Sequence, residues 1–349
     1  MSRGLPTVMA AVVLEGHGGF DRLRYRTDVP VPRPGPDEVL IRVAAASVNN
    51  TDINTRIGWY SQSAGNVGAD GSWTGSPMSF PRIQGADVCG RIVAVGRDVD
   101  RSRLGRRVIV QSCLMSRRGP AGVPWLGSEC DGGFAQYVVA PAQDSWDVAG
   151  ALSDIELACL PCAYATAENL LARAGVRAGE QVLITGATGG VGSAAIQLAR
   201  RRGARAIAVA AAGKQAAIAE LGAERVIARD ADPREALGSD AIDVVIDLVG
   251  GAGWPALLDL LRPGGRYAVA GAIAGPIVEL DLRKLYLKDL TFFGCTTQGD
   301  QVFADLVGYA ERGEIRPRVA RTYPLSAIVE AQQDFIAKKH VGKLVLLPP

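Results

Sequence analysis

Cysteine and histidine are both scarce in this chain of 349 residues. The six cysteines, Cys89, Cys113, Cys130, Cys159, Cys162 and Cys295, are too scattered to read as a disulfide framework, so free thiols of a reducing, cytoplasmic compartment are the expectation. The two histidines, His17 and His340, lie far apart with neither ligand nor triad spacing, and no role is assigned to either. Charge of one sign is also lacking: 38 basic against 36 acidic side chains leave +2, which argues against a nucleic-acid footprint. Long apolar runs are missing too. Met9 to Leu14 is far shorter than a membrane span of ~20 residues, and Val182 to Ala199 is broken by four glycines. A soluble protein without a signal peptide, acting on a small molecule away from membranes, is the expectation.

Glycine, by contrast, is abundant, with 42 residues and no G-X-Y period, which points to tight turns and close backbone approaches. The length suits two domains. Residues 1–150 read as short strands divided by turn chemistry: Val39 to Val43, Gly90 to Val95 and Arg107 to Gln111, with a long Gly/Ser/Asn/Pro loop over Ser61 to Pro81. Ser153-x-x-Glu156 has capping-box spacing and predicts a helix start. Over 151–297, short apolar runs (Val182 to Thr185, Ala206 to Ala210, Val244 to Leu248, Tyr267 to Ala270) alternate with helical segments (Gly192 to Arg202, Lys214 to Leu221, Trp254 to Leu261). That alternation predicts a parallel sheet covered on both faces, hence an α/β fold. The remainder, 298–349, offers a helix from Val302 and a strand at Lys343 to Leu347, too little for its own core. It is expected to complete the first domain.

The sharpest motif is Gly186-Ala187-Thr188-Gly189-Gly190-Val191-Gly192, between a strand and a helix. Gly189 lets the backbone approach a pyrophosphate, Gly192 lets helix and strand pack closely, and the amides at the helix start bind the anion. The competing reading is a glycine-rich turn with no ligand. About 20 residues on, where NAD-binding folds carry an acid for the ribose, the stretch Ala210-Ala211-Ala212-Gly213-Lys214 has no carboxylate and one lysine. NADP(H) is therefore the expected cofactor, held by Lys214 and, more weakly, Arg229. Both residues also fit a plain solvated cation.

Nearly the whole chain resembles the medium-chain dehydrogenase/reductase superfamily, in its zinc-free quinone oxidoreductase and enoyl reductase branches. The resemblance is carried by Pro34-Gly35-Pro36-Asp37-Glu38-Val39-Leu40, Ser47-Val48-Asn49-Asn50-Thr51-Asp52-Ile53-Asn54, Asp131-Gly132-Gly133-Phe134-Ala135-Gln136-Tyr137, the glycine loop, and Gly264-Gly265-Arg266. It implies a GroES-like, mostly-β catalytic domain, a Rossmann doubly wound domain, a cleft between them, and a homodimer. The exposed sheet edge at Asp289 to Cys295 is the expected seam. Zinc enzymes of the superfamily carry ligands where this chain has Asn49, Ala86-Asp87 and Cys162, and only the last keeps a ligand type. No zinc is therefore expected. Cys162 then reads as a small apolar residue near the nicotinamide.

Without a metal, hydride delivery to a conjugated acceptor needs a proton donor. The resemblance puts Tyr60 there, eleven residues after Asn49; the plainer reading is a tyrosine packed at a loop rim. Asn49 is expected to hydrogen-bond substrate or nicotinamide, and Thr166 to contact the nicotinamide; both also fit local backbone caps. Asp52 reads as a turn carboxylate. Ala270, Gly271 and Ala272, with the residues to Ala274, are expected to line the nicotinamide through their backbone, as is the stretch from Gly294 to Thr297. The leading function is NADPH-dependent reduction of an enone, enoyl thioester or quinone. Its rivals are an alcohol dehydrogenase or carbonyl reductase, in which Tyr60, Thr51 or Asn49 polarises a C=O, and a non-catalytic NADPH-binding structural or regulatory protein.

Overall fold

The computed structural model describes residues 4–60 and 72–349, so residues 61–71 of the loop expected over Ser61 to Pro81 lie outside the described residues. The chain divides into two compact units. One runs to Cys162 and resumes as Val307–Lys339 and Lys343–Pro349; the other is Ala163–Leu306 with His340–Gly342. These boundaries fall later than 150 and 297, for a physical reason. The helix opened by Ser153 is only Asp154–Leu157, and it packs against strands Glu38–Ser47 and Cys89–Val95 of the first unit. Arg107 and Arg316 pair with Asp154 and Glu156 and hold it there. The helix Asp300–Glu311 spans the second boundary.

The first unit is built on a seven-stranded sheet with Glu38–Ser47 at its heart. That strand is almost wholly buried, as its run of Val, Leu, Ile and Ala requires, and it pairs antiparallel with Cys89–Val95 and Tyr137–Pro141. Its far end takes the chain terminus as a partner: Lys343–Leu347 pairs Val345 with Ser47 and Leu346 with Ala46. Val319–Pro324 then adds in parallel to Lys343–Leu347. A three-stranded antiparallel sheet, Leu23–Pro30, Val8–Leu14 and Arg82–Ile83, belongs to the same unit.

The second unit carries a six-stranded parallel sheet. In spatial order its strands are Arg225–Ala228, Arg205–Ala210, Gln181–Ile184, Ile242–Asp247, Leu261–Val269 and Thr291–Gly294. This is the doubly wound order, and the direction of winding reverses between Gln181–Ile184 and Ile242–Asp247. Val182, Leu183, Ile184, Val244, Val245 and Ile246 are fully buried, as a sheet covered on both faces demands. Leu261–Val269 starts earlier than the expected Tyr267 because Gly264-Gly265 forms a bulge inside the strand: Ile242 opposes Leu261, and the register then jumps to Val244 opposite Arg266. The fold is thus α/β, a GroES-like unit and a Rossmann unit.

Candidate active site and cofactor loop

In the first unit the site grows from the helix Asn50–Ile57. Gly58 ends it in the left-handed region (φ 71°), which glycine adopts without a Cβ penalty. The Trp59 amide turns back to the Asn54 carbonyl at 2.9 Å, so the chain folds over the helix it has just left. Thr51 and Asn54, three residues apart, share the face it covers. The Tyr60 hydroxyl donates to Thr51 Oγ1 at 3.1 Å and accepts from Asn54 Nδ2 at 3.4 Å. Burial pushes the phenol well above its ordinary value, with the two hydrogen bonds opposing, so Tyr60 stays protonated at neutral pH. Asn54 was not singled out in the sequence; its three-residue spacing from Thr51 is the signal that could have found it. His17 also finds a place here: its Nδ1 donates to the Thr55 carbonyl at 2.8 Å, closing the helix C-terminus.

Beside the tyrosine lies a buried polar knot. Asn49 Nδ2 donates to Asp87 Oδ2 at 2.7 Å and to the Ser47 carbonyl at 3.2 Å, while Asn49 Oδ1 accepts from Lys343 Nζ. Asp87 Oδ1 accepts the Cys162 amide at 2.7 Å, and Asp87 Oδ2 also accepts the Ser47 hydroxyl and faces Lys343 Nζ at 3.5 Å. Lys343 gives a further bond to the Val48 carbonyl at 3.1 Å. Each of these side chains is nearly or fully buried. Both Asn49 amide hydrogens are thus engaged inside the protein, and the side chain frames the site. Asp52 is likewise structural. It accepts the Asn49 and Ala86 amides at 2.7 and 3.2 Å, and burial raises its carboxyl to about 7. Lys343 escaped notice because it reads as the first residue of an apolar strand.

The positions compared with zinc ligands do converge in this knot, but as hydrogen-bond partners. Burial holds the Cys162 thiol well above its ordinary value, with the Asp87 charge adding to the rise. Cys159 and Cys162 stand in C-x-x-C spacing, which corrects the expectation that all six cysteines are scattered; both are buried free thiols, and burial likewise raises Cys159. Among the described residues no cluster of three or more His, Cys, Asp or Glu could hold a metal ion.

In the second unit the glycine loop joins Gln181–Ile184 to the helix Gly190–Arg201. A Cβ on Gly192 would meet the Gly186 carbonyl at 2.4 Å and the Ala187 Cα at 2.6 Å, so only glycine allows this helix to sit against the loop. Gly189 is exposed, and a Cβ there would make only an ordinary contact with the Gly186 carbonyl at 3.5 Å; the first amides of the helix, at Gly190, Val191 and Gly192, lie beyond the intrahelical ladder. Ala187 is buried, and the half-buried Thr188 accepts the Gly342 amide at 3.0 Å. Lys214 stands at the start of the helix Gln215–Glu220, where its Nζ reaches the His340 carbonyl at 3.0 Å. Burial, then the nearby positive charge of Arg229, lowers its pKa. The two expected cations are thus neighbours that repel, an arrangement a dianion relieves. Thr166 is half-buried, and its Oγ1 accepts from the buried Gln298 at 3.3 Å. Ala270, Gly271 and Ala272 follow Leu261–Val269, and a Cβ on Gly271 would meet the Leu248 carbonyl at 3.0 Å.

Asp247, also passed over in the sequence, secures this end of the sheet. It accepts from Thr185 Oγ1 and the Tyr267 hydroxyl, both at 2.6 Å, and from the Val249 amide at 2.9 Å. These residues fit a dinucleotide: glycines for close approach, free helix amides for a pyrophosphate, and paired cations for a further phosphate.

A doubly wound sheet with this loop, joined in sequence to a GroES-like unit, is the architecture of the dehydrogenase/reductase class. The alcohol dehydrogenase GroES-like domain family matches residues 35–150, and the zinc-binding dehydrogenase family matches residues 190–312. The chain is 31% identical to the quinone oxidoreductase of Lama guanicoe, over 97% of this chain and 98% of that one. It is 32% identical to the acryloyl-coenzyme A reductase of Metallosphaera sedula, over 97% and 99%. A solved structure from Sinorhizobium meliloti 1021, provisionally called an alcohol dehydrogenase, superposes with a TM-score of 0.92 at 49% identity, covering 99% of this chain and 98% of that one. The chain belongs to the medium-chain dehydrogenase/reductase superfamily and is an oxidoreductase of that family. The zinc named in the second family description does not fit the donor set here: an amide, a carboxylate already holding several donors, and one neutral thiol do not make an open three-ligand site. No helix among the described residues is long and apolar enough to cross a membrane.

Proposed function

We propose that this protein is a zinc-independent, NADPH-dependent reductase of activated double bonds or quinones, with Tyr60 as proton donor. The observation that carries the reading is the Tyr60 hydroxyl held between Thr51 Oγ1 and Asn54 Nδ2. NADPH, held by the glycine loop with Lys214 and Arg229, would supply the hydride for the β-carbon of the acceptor. Tyr60 then gives its proton to the α-carbon of the enolate. As the phenolate forms, the Thr51 hydroxyl turns to donate to it, and Asn54 already donates, so two hydrogen bonds offset the cost of a charged oxygen in a buried place. Asn49, Asp87 and Lys343 hold the frame behind this pair. The printed names of the quinone oxidoreductase and acryloyl-coenzyme A reductase relatives support the acceptor class.

NADPH is preferred because Lys214 and Arg229 are neighbours and the stretch Ala210 to Lys214 carries no carboxylate. Thr166, Thr188, the loop from Ala187 to Gly192, and Ala270 to Ala272 are the remaining cofactor contacts of this reading. A homodimer is supported by the outermost strand Thr291–Gly294 and by exposed Ile277, Leu282, Tyr286 and Leu287 on the preceding segment. Six free thiols suit a cytoplasmic setting. Carbonyl reduction is the second reading, favoured by the name of the Sinorhizobium structure and by two hydroxyls able to polarise a C=O.

The test is turnover of NADPH with a simple α,β-unsaturated ketone, product identification by mass spectrometry, and repetition with Tyr60→Phe. A saturated ketone, with the variant slowed at least ~100-fold, is expected. An allylic alcohol with an unaffected variant would move the protein to carbonyl reduction.

A further inference from the structure

An aromatic row flanks Tyr60. Its ring meets Trp73 edge-on, with centroids 4.6 Å apart, and Trp73 lies over Trp125 at 4.3 Å with a tilt of 33°. Trp125 is buried in a cluster with Ala86 and Cys162, at the heart of the first unit's site. The edge-on pair is a specific, directional contact and the tilted indoles lie close against each other, so the row is a defined wall.

The wall is anchored from behind. The Glu129 carboxylate accepts the Thr74 amide on one oxygen at 2.8 Å and the Trp125 amide on the other at 2.9 Å. One charged group thus ties together two segments about 50 residues apart. Ser128 Oγ accepts the Trp73 amide at 3.2 Å, which fixes the third point. Charge-assisted bonds to backbone amides are among the stronger hydrogen bonds, and here they fix Thr74 and Trp125 on either side of Trp73, whose own amide goes to the Ser128 hydroxyl.

We infer that Trp73, pinned by Glu129 and Ser128, is a specificity-determining residue that limits the acceptor to a compact conjugated ketone or thioester and turns away substituents as large as a phenyl ring. The inference rests on the reading of Tyr60 as proton donor: an acceptor whose α-carbon meets the Tyr60 hydroxyl must fit beside the Trp73 ring. Removing the indole opens a slot the size of an aromatic ring. Deleting the Glu129 charge leaves the indole present but loosely held, because an amide offers one acceptor where the carboxylate offered two.

The experiment compares kcat/KM for 4-phenyl-3-buten-2-one and methyl vinyl ketone in the wild type, Trp73→Ala, Trp73→Phe and Glu129→Gln. It also measures dissociation constants of the unreactive 4-phenyl-2-butanone and 2-butanone by tryptophan fluorescence. The phenyl-to-methyl ratio is expected to rise at least about tenfold in Trp73→Ala, less in Trp73→Phe, and about two- to fivefold in Glu129→Gln, with the binding ratios moving the same way. Enone turnover with neither ratio moved in any variant overturns the wall and leaves the reaction standing. Shifted binding ratios without turnover of either enone overturn the reaction and leave the wall standing.

Discussion

Replacing Lys343 with methionine removes a charge from the interior while keeping an unbranched side chain in its strand. Lys343 is 3% exposed and Asp87 fully buried, so the variant leaves a carboxylate out of water without its cation. Breaking a buried pair in this way costs ~3–5 kcal/mol. Asp87 retains the Ser47 hydroxyl, the Asn49 amide and the Cys162 amide as donors, which places the loss near the lower end, at about 3 kcal/mol. The knot also predicts a rescue. In the double variant with Asp87→Asn the charge is gone, and the Asn49 oxygen released by Lys343 can accept from the new amide once Asn49 turns over. The double variant should therefore recover about 1–2 kcal/mol relative to the sum of the two single losses, a coupling that urea unfolding curves of the four proteins measure directly. Because the pair is buried, the coupling should change little between low and high salt. A loss under about 1 kcal/mol for Lys343→Met, or strict additivity, would refute the account of this knot as a mutually satisfied unit.

Three further outcomes follow from the structure. Removing both cations of the cofactor unit, Lys214→Ala with Arg229→Ala, should lower the preference for NADPH over NADH at least about tenfold, with weaker dependence of NADPH affinity on salt; an unchanged preference in titrations of both coenzymes would count against a phosphate site there. Gly192→Ala should cost about 1–3 kcal/mol and weaken coenzyme binding, since its new Cβ meets backbone at 2.4 and 2.6 Å; thermal unfolding with and without coenzyme reads both effects. Asp52, raised by burial from 3.8 to about 7, binds more protons folded than unfolded, so its contribution to stability is complete below pH ~4 and is lost as pH rises through about 7. That displacement is worth at most about 4 kcal/mol, so the stability of the wild type relative to Asp52→Asn should fall between pH 4 and 7 and then level, and a flat difference would refute it.

The glycine loop was legible because its signal is local: the strand, the glycines and the helix start all lie within twenty residues, and Gly186 and Gly192 each answer to a steric demand, the one by its positive φ, the other by its close approach to backbone. Tyr60 was singled out by the resemblance, and its two partners Thr51 and Asn54 lie within ten residues of it on the preceding helix. What escaped was joined across sequence. Lys343 meets Asn49 and Asp87 only after the chain end pairs with Ser47 and Ala46, and nothing in an apolar strand beginning with lysine announces that its ammonium points inward. The strand Val319–Pro324 was missed for a different reason: it has a single buried position, Tyr323, and so shows no alternation. The internal partners of Asn49 were hidden because a buried amide looks the same in sequence whether it faces a ligand or a lysine.

The knot and the tyrosine pair divide the labour of the first unit in a way that mutations can separate. Asn49, Asp87 and Lys343 satisfy one another, so their loss should appear mainly as lost stability and a displaced Cys162 amide. Thr51 and Asn54 point their polar atoms at a single phenol, so their loss should leave the fold intact and fall on proton transfer. In Asn54→Leu the phenolate keeps one hydrogen-bond donor where it had two, so its pKa in the working site rises further and the proton is given up less readily. The expected sign is a lower kcat with little change in KM, together with a larger solvent deuterium isotope effect as proton transfer becomes slower than hydride delivery. A change in KM alone would mean that Asn54 binds substrate instead of serving Tyr60.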